Sequence, residues 1–219
     1  MRSKFDSQLA TLSEEMTQMG AYCEEVIALA AKALLEGEAQ LGAKVADIDS
    51  KIDRMERDIE SLCFKLILQQ QPVAKDLRQI SAALKMITDL ERIGDQADDI
   101  AEIIPFLGGR TGAECESVSL MARETIRMVT ESVDAYVKGD VELAKAVIAR
   151  DDVVDDCFDN VKSSLIRLIT ERREDAEYAL DLLMIAKYFE RIGDHATNVA
   201  EWVVFSVTGV HKEWNGEDN

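Results

Sequence analysis

Apolar residues recur at intervals of three and four along nearly the whole chain. Leu9, Leu12, Met16, Met19, Cys23, Val26, Ala30 and Leu34 form one stripe, and Leu41, Val45, Ile48, Ile52, Met55, Ile59, Leu62 and Leu66 a second. A stripe of that period is the buried face of an amphipathic helix. Glu36-Gly37-Glu38 separates the two. Pro72 marks the next boundary, because proline suits a helix start and not an interior. A third helix is predicted over Val73 to Ile104, ended by Pro105 and Gly108-Gly109. A fourth covers Ala113 to Val137 and stops at Lys138-Gly139-Asp140. A fifth covers Val141 to Thr170, with Val147, Val154, Phe158, Val161, Leu165 and Leu168 on its seam. The charged turn Glu171-Arg172-Arg173-Glu174-Asp175 precedes a sixth that ends near Val207. The polar tail from Gly209 to Asn219, apart from Trp214, is expected to fray.

The pattern is duplicated. Glu91-Arg92-Ile93-Gly94-Asp95 returns letter for letter as Glu190-Arg191-Ile192-Gly193-Asp194, 99 positions on. Asp49-Ser50-Lys51-Ile52-Asp53 is matched by Asp151-Asp152-Val153-Val154-Asp155, and Glu36-Gly37-Glu38 by Lys138-Gly139-Asp140, both 102 positions on. The change of offset falls in the turn before the last helix, where Pro72 has no counterpart. An all-α fold follows: two tandem homologous three-helix bundles, six long antiparallel helices in all, with residues 1–106 as the first unit, 107–112 as linker and 113–219 as the second. Helices of about 30 residues are about 45 Å long.

Composition narrows the function. Of 219 residues, 47% are hydrophobic and 31% charged, as in a globular protein. With 25 basic and 43 acidic residues the net charge is −18, which repels nucleic-acid phosphates and anionic lipid surfaces. Cations, or proteins with basic patches, are the expected partners. Only 2 prolines, 11 glycines and 5% aromatics argue against a many-stranded β fold. Met1 to Asp6 lead straight into an amphipathic segment without an apolar signal core, and no run of about 18 apolar residues occurs, so neither secretion nor membrane insertion is expected. Cys23, Cys63, Cys115 and Cys157 form no CxxC pair and read as reduced cytosolic thiols packed as small hydrophobes.

The repeated pentapeptide is where chemistry concentrates. Glu91 and Asp95 stand at i and i+4 and share a helix face, a like-charge pairing that costs a helix about 0.2–0.5 kcal/mol. Asp98 and Glu102 continue that face, with Asp99 beside it. The second copy places Glu190, Asp194, Thr197 and Glu201 there, with Asn198 at the edge. The same sector earlier on the third helix holds Leu77, Ile80, Leu84 and Ile87, so a core-facing stripe turns acidic halfway along. In an antiparallel pair, Asp49 and Asp53 fall level with Glu91 and Asp95, and Asp151 and Asp155 with Glu190 and Asp194. Carboxylates converging on a helix–helix groove need compensation. A multivalent cation held by oxygen ligands provides it, and Mg²⁺, Ca²⁺, Mn²⁺ or iron suits such ligands. The plainer reading is a pair of solvated faces with Arg92 and Arg191 as salt-bridge partners. Gly94 and Gly193, each costing about 1 kcal/mol in mid-helix, point to close approach of a ligand or of another helix.

Catalytic signatures are missing. No Glu-x-x-His, HExxH, phosphate loop or nucleophile elbow occurs. His195 has Gln96 as its counterpart and stands outside the repeated design, and His211 lies in the tail. No enzyme activity is expected.

The two ERIGD pentapeptides, each followed by Ala-Glu (Ala101-Glu102, Ala200-Glu201), together with Asp76-Leu77-Arg78 after Pro72 and the two Asp-x-x-x-Asp copies, resemble the PhoU family of phosphate-uptake regulators over about residues 5 to 207. The resemblance implies a cytoplasmic, homodimeric negative regulator of the phosphate-starvation response. Such a protein couples the phosphate ABC transporter subunits to a sensor histidine kinase and limits phosphate uptake. It also implies metal on E(D)xxxD motifs, here Glu91/Asp95, Glu190/Asp194, Asp49/Asp53 and Asp151/Asp155, with iron, zinc, magnesium, manganese and calcium all open. Asp99 departs from the family's usual asparagine, which Asn198 keeps, so the two sites are expected to differ in charge and occupancy. The alternative is a metal-free acidic helical adaptor that docks basic surfaces of partner proteins.

Overall fold

The structure, a computed structural model, describes residues 2–70, 72–112 and 115–210. The tail expected to fray lies, from residue 211 on, outside the described residues. Six helices carry the chain: α1 (Arg2–Glu36), α2 (Gly42–Gln70), α3 (Ala74–Ile103), α4 (Glu116–Lys138), α5 (Val141–Glu171) and α6 (Ala176–Thr208). Short 3-10 turns at Ala39–Leu41, Ile104–Leu107 and Arg173–Asp175 join them, and no strand occurs among the described residues. None of these helices is long and apolar enough to cross a membrane.

The breaks fall where the punctuating residues put them. Gly139 takes a left-handed conformation (φ 63°) that closes α4, its N–H reaching the carbonyls of Ala135 and Tyr136. The next residue, Asp140, caps α5 by accepting hydrogen bonds from the N–H groups of Glu142 and Leu143. Stop and start signals thus occupy adjacent positions.

α1, α2 and α3 pack as one three-helix set and α4, α5 and α6 as its counterpart. α2 and α5 are the outer helices. Between the halves, α3 lies along α6 in the most extensive pairing of the molecule, and α1 lies along α4. One continuous apolar core runs through both halves, from Leu12 and Met16 to Phe189 and Val203. The halves meet without spacing: a Cβ on Gly20 of α1 would stand 2.7 Å from Val133 Cγ2 of α4.

The segment between the halves is docked. Leu107 is buried. Arg110 bonds Asp175 at 2.9 Å and lies over the Tyr178 ring at 3.6 Å, and the Tyr178 hydroxyl donates to the Thr111 carbonyl at 3.0 Å. All four cysteines are buried and unpaired, and burial pushes the Cys63 thiol up to about 12. Of the apolar positions ahead of the acidic motif, Ile80 and Ile87 are buried, but Leu77 is exposed. It sits in the first turn of α3, and Leu68 near the end of α2 and Val73 at the start of α3 are exposed as well.

Candidate metal centre

The first pentapeptide lies past the middle of α3, facing the start of α2 across their shared groove. Its apolar members are core: Ile93 is fully buried, as is Ile52 opposite. The acids sit one position off that seam, at the rim of the core, half-buried. One carboxylate oxygen each from Asp49, Asp53 and Asp95 lie within 4.8 Å of one another. Oxygens on opposite sides of a single Ca²⁺ are about 5 Å apart, so this spread matches a shared ion. Gly94 is what allows the approach: a Cβ there would stand 2.7 Å from Asp49 Oδ1 and 3.0 Å from Ile52 Cδ1.

Asp49 is the deepest member. Its Oδ1 is buried with no hydrogen-bond partner. Burial, then the charges of Asp53, Asp95, Asp98 and Glu91, push its carboxyl up to about 7. Glu91 is raised by burial and by Asp95, against the pull of Arg92, and Asp98 by burial and by Glu102, Asp99 and Asp95. The neighbouring cation is Arg92, whose Nη1 donates to Asp95 Oδ2 at 2.8 Å and whose Nε lies 3.5 Å from Glu91. Arg57 reaches Asp53 at 3.8 Å from the exposed side.

Sequence spacing missed one member. Glu56, a turn beyond Asp53 on α2, is raised by burial and by Glu60 and Asp53, and its charge is felt at Glu91. The signal was there in the i, i+3 step from Asp53, but the repeat logic passed over it because the second half has Phe158 at that place. Glu102, by contrast, is exposed.

The second groove has the same frame between α5 and α6. Asp151 is pushed up to about 6 by burial and by Asp194 and Asp155, with the Thr197 hydroxyl acting the other way. Asp155 and Asp194 are exposed, and burial and Glu190 raise both. Gly193 is less crowded than Gly94, its nearest contact from a Cβ being 3.4 Å, to Asp151 Oδ1. Lys187 pairs with Glu190. Glu201 is half-buried on the following turns of α6. Among the described residues, Asp49, Asp53 and Asp95 are the one set of three acidic, His or Cys side chains whose ligand atoms converge.

Asn198 reaches across the seam between α3 and α6, and Asp99, whose charge is still felt at Asp98 in the first groove, also comes within reach of Arg191 on α6. The Asn198 amide donates to Asp89 Oδ1 at 3.1 Å, and His195 Nδ1 lies 2.9 Å from the same oxygen. Asp99 is raised by burial and by Glu102 and Asp95, against the pull of Arg191, and Tyr188 is raised by burial and then by Asp99. The difference between Asp99 and Asn198 therefore acts in part at the joint between the halves.

Comparison with known proteins agrees with this duplicated frame. The PhoU domain family matches residues 16–104 and again residues 118–203. The chain belongs to the PhoU family. A phosphate-specific transport system accessory protein PhoU homolog of Clostridium acetobutylicum is 35% identical over 216 residues, covering 98% of this chain and 99% of that one. A PhoU homolog of the same description from Synechocystis is 34% identical over 95% of this chain and 93% of its own. The crystal structure of PhoU from Pseudomonas aeruginosa superposes with a TM-score of 0.90 at 32% identity, over 94% of this chain and all of that one. Two matches of one PhoU domain, one in each half, correspond to the two three-helix sets joined along α3 and α6.

Proposed function

We propose that this chain is a regulatory accessory protein of phosphate-specific transport. In this reading it is a non-catalytic cytoplasmic homodimer that couples phosphate ABC transporter subunits to a sensor histidine kinase and restrains the phosphate-starvation response. The near end-to-end similarity to accessory proteins of that system carries the reading. The family likeness supports the kinase coupling and the dimer.

Metal at the acidic groove belongs to the same proposal. The orphaned Asp49 Oδ1 and the cleared space at Gly94 fit a hard cation, and so does the all-carboxylate donor set. Asp49, Asp53, Glu91 and Asp95 would hold it, with Asp98 and Glu56 adding negative charge. A bound cation supplies positive charge between α2 and α3. The chain's own part is to set the carboxylates at fixed height on two facing helices and to shield Asp49 from water.

Complementation tests the regulatory half. In a bacterium lacking its own PhoU, the chain should restore repression of a phosphate-starvation reporter in phosphate-replete medium. A reporter that stays fully active while the protein accumulates normally would contradict it. The metal-free adaptor is separated by a pull-down of transporter and kinase domains. Capture lost in high salt yet indifferent to chelator would favour that alternative.

A further inference from the structure

A pocket of about 430 Å³ opens where the first turns of α3 meet the last turns of α4 and α6. Lys75 and Gln79 form one wall, Tyr136 and Lys138 a second, and Ser206 and Val207 the third. It lies about 24 Å along α3 from Glu91 and Asp95, well apart from the acidic grooves. None of its eight lining residues is acidic, in a chain with 43 acids. Lys138 is bonded to Asp134 at 2.7 Å, while Lys75 has no ion-pair partner among the described residues. Tyr136 is only 6% exposed, and its hydroxyl has no hydrogen-bond partner. Burial, then the Cys63 thiol, push that hydroxyl up, against the pull of Gln79, so it stays protonated and able to donate. A buried donor left unpaired is unfavourable and marks a place where a partner belongs.

The duplication shows what such a corner holds. The matching corner, at the other end of α3 and α6, has Leu34 for Tyr136, Tyr178 for Gln79 and Leu107 for Ser206. Pro105 breaks α3 there, and the connecting segment folds in. Leu107 is buried, Gly112 lies against Leu34, and the Thr111 carbonyl accepts from the Tyr178 hydroxyl. α6 has Val204 in place of Pro105 and stays helical to Thr208, which leaves its corner open. The wall charges are reversed as well: Glu174 and Glu36 at the filled corner stand where the open one has Lys75 and Lys138. The segment that fills the first corner carries a cation, Arg110, bonded to Asp175. By the same complementarity, the open corner suits a negative occupant.

We propose that this pocket binds a small organic anion, its phosphate or carboxylate head on Lys75 and the Tyr136 hydroxyl and its body along Val207. Lys75 supplies charge, and Tyr136 with Gln79 supplies directed hydrogen bonds, which are strongest to a charged acceptor. The cavity is larger than a bare phosphate needs and falls in the range of small-molecule sites, about 300–1,000 Å³. Its walls come from α3 in the first half and from α4 and α6 in the second, so the occupant spans the joint between the halves.

¹⁹F NMR of the full-length chain labelled with 3-fluorotyrosine reads the pocket directly, since the chain has 4 tyrosines and Tyr136→Phe assigns the relevant signal. The probes are inorganic phosphate, adenosine 5′-monophosphate and benzoate. Saturable displacement of the Tyr136 signal by the monophosphate or by benzoate is expected, and the tighter of the two names the head group. Bare phosphate, lacking a body, should bind more weakly than that one. Lys75→Glu, at an exposed position, should weaken binding by about 10–100-fold, the range of a hydrogen bond to a charged group, with an unchanged circular-dichroism melt. Tyr136→Phe should weaken it likewise by calorimetry and melt no lower than wild type, because it deletes an unpaired buried hydroxyl. No displacement of the Tyr136 signal by any probe, equal affinity in Lys75→Glu, or a destabilised Tyr136→Phe would overturn the site. Bare phosphate binding tightest would overturn the organic body.

Discussion

Gly94 and Gly193 occupy the same place in identical pentapeptides, yet their surroundings differ. A methyl group at Gly94 meets Asp49 Oδ1 at 2.7 Å and Ile52 Cδ1 at 3.0 Å, whereas at Gly193 nothing comes closer than 3.4 Å. Gly94→Ala should cost about 1–3 kcal/mol through forced displacement of packed groups and should lower metal affinity. Gly193→Ala should be neutral or gain up to about 1 kcal/mol from helix propensity. Urea denaturation of the two variants beside wild type checks this, and equal effects would contradict it. Asp49 sets a second expectation. Its carboxyl is raised to about 7 against an ordinary 3.8, so the folded chain holds that proton more tightly than the unfolded one. The contribution is complete below about pH 4 and is lost as pH rises through about 7. Metal-free protein should therefore lose stability between about pH 5 and pH 7.5 in chelator, and Asp49→Asn should flatten that slope. Added metal should reverse the loss, because it needs the deprotonated form. The matched acids and both glycines were legible in the sequence because repetition exposes them. Glu56 and Lys187 were not, since each lacks a like counterpart and gains meaning only from the residue across the groove.

At the scale of helices, the close meeting of α1 with α4 rests on Gly20 against Val133. Gly20→Ala should destabilise by about 1–3 kcal/mol, and Val133→Ala in the same chain should recover part of it. A double-mutant cycle measures the coupling, and strict additivity would contradict direct contact. Helix ends were readable to within a few residues, because Gly37, Pro72 and Gly139 mark them by backbone geometry and Asp140 by its capping carboxylate. Which helices pair between the halves was not readable. Periodicity reports the width of a buried face and not the identity of its neighbour. For the same reason Asp99 and Asn198, adjacent by angle to the acidic sector, turn out to reach the α3–α6 seam as well, where Asn198 and His195 share Asp89.

The whole molecule is two copies of one three-helix plan fused through a common core. Leu34 of α1 packs against Gly112 in the connecting segment, where a Cβ would lie 2.8 Å from Leu34 Cγ, and Arg110 clamps that segment to the start of α6. Unfolding is expected as one cooperative transition, with reporters placed in each half giving coincident curves. The grooves lie between an outer helix and an inner one in each half, so an ion in the first groove ties α2 to the body of the protein. In the proposed regulatory reading, metal supply would then act on the position of that outer helix. The most direct measurement is an anomalous difference map, recorded at the manganese edge from crystals grown with Mn²⁺. A peak is expected between the carboxylates of Asp49, Asp53 and Asp95, at about the 2.0–2.6 Å typical of oxygen ligands to divalent cations. An empty first groove, its acids turned apart into solvent, would contradict it.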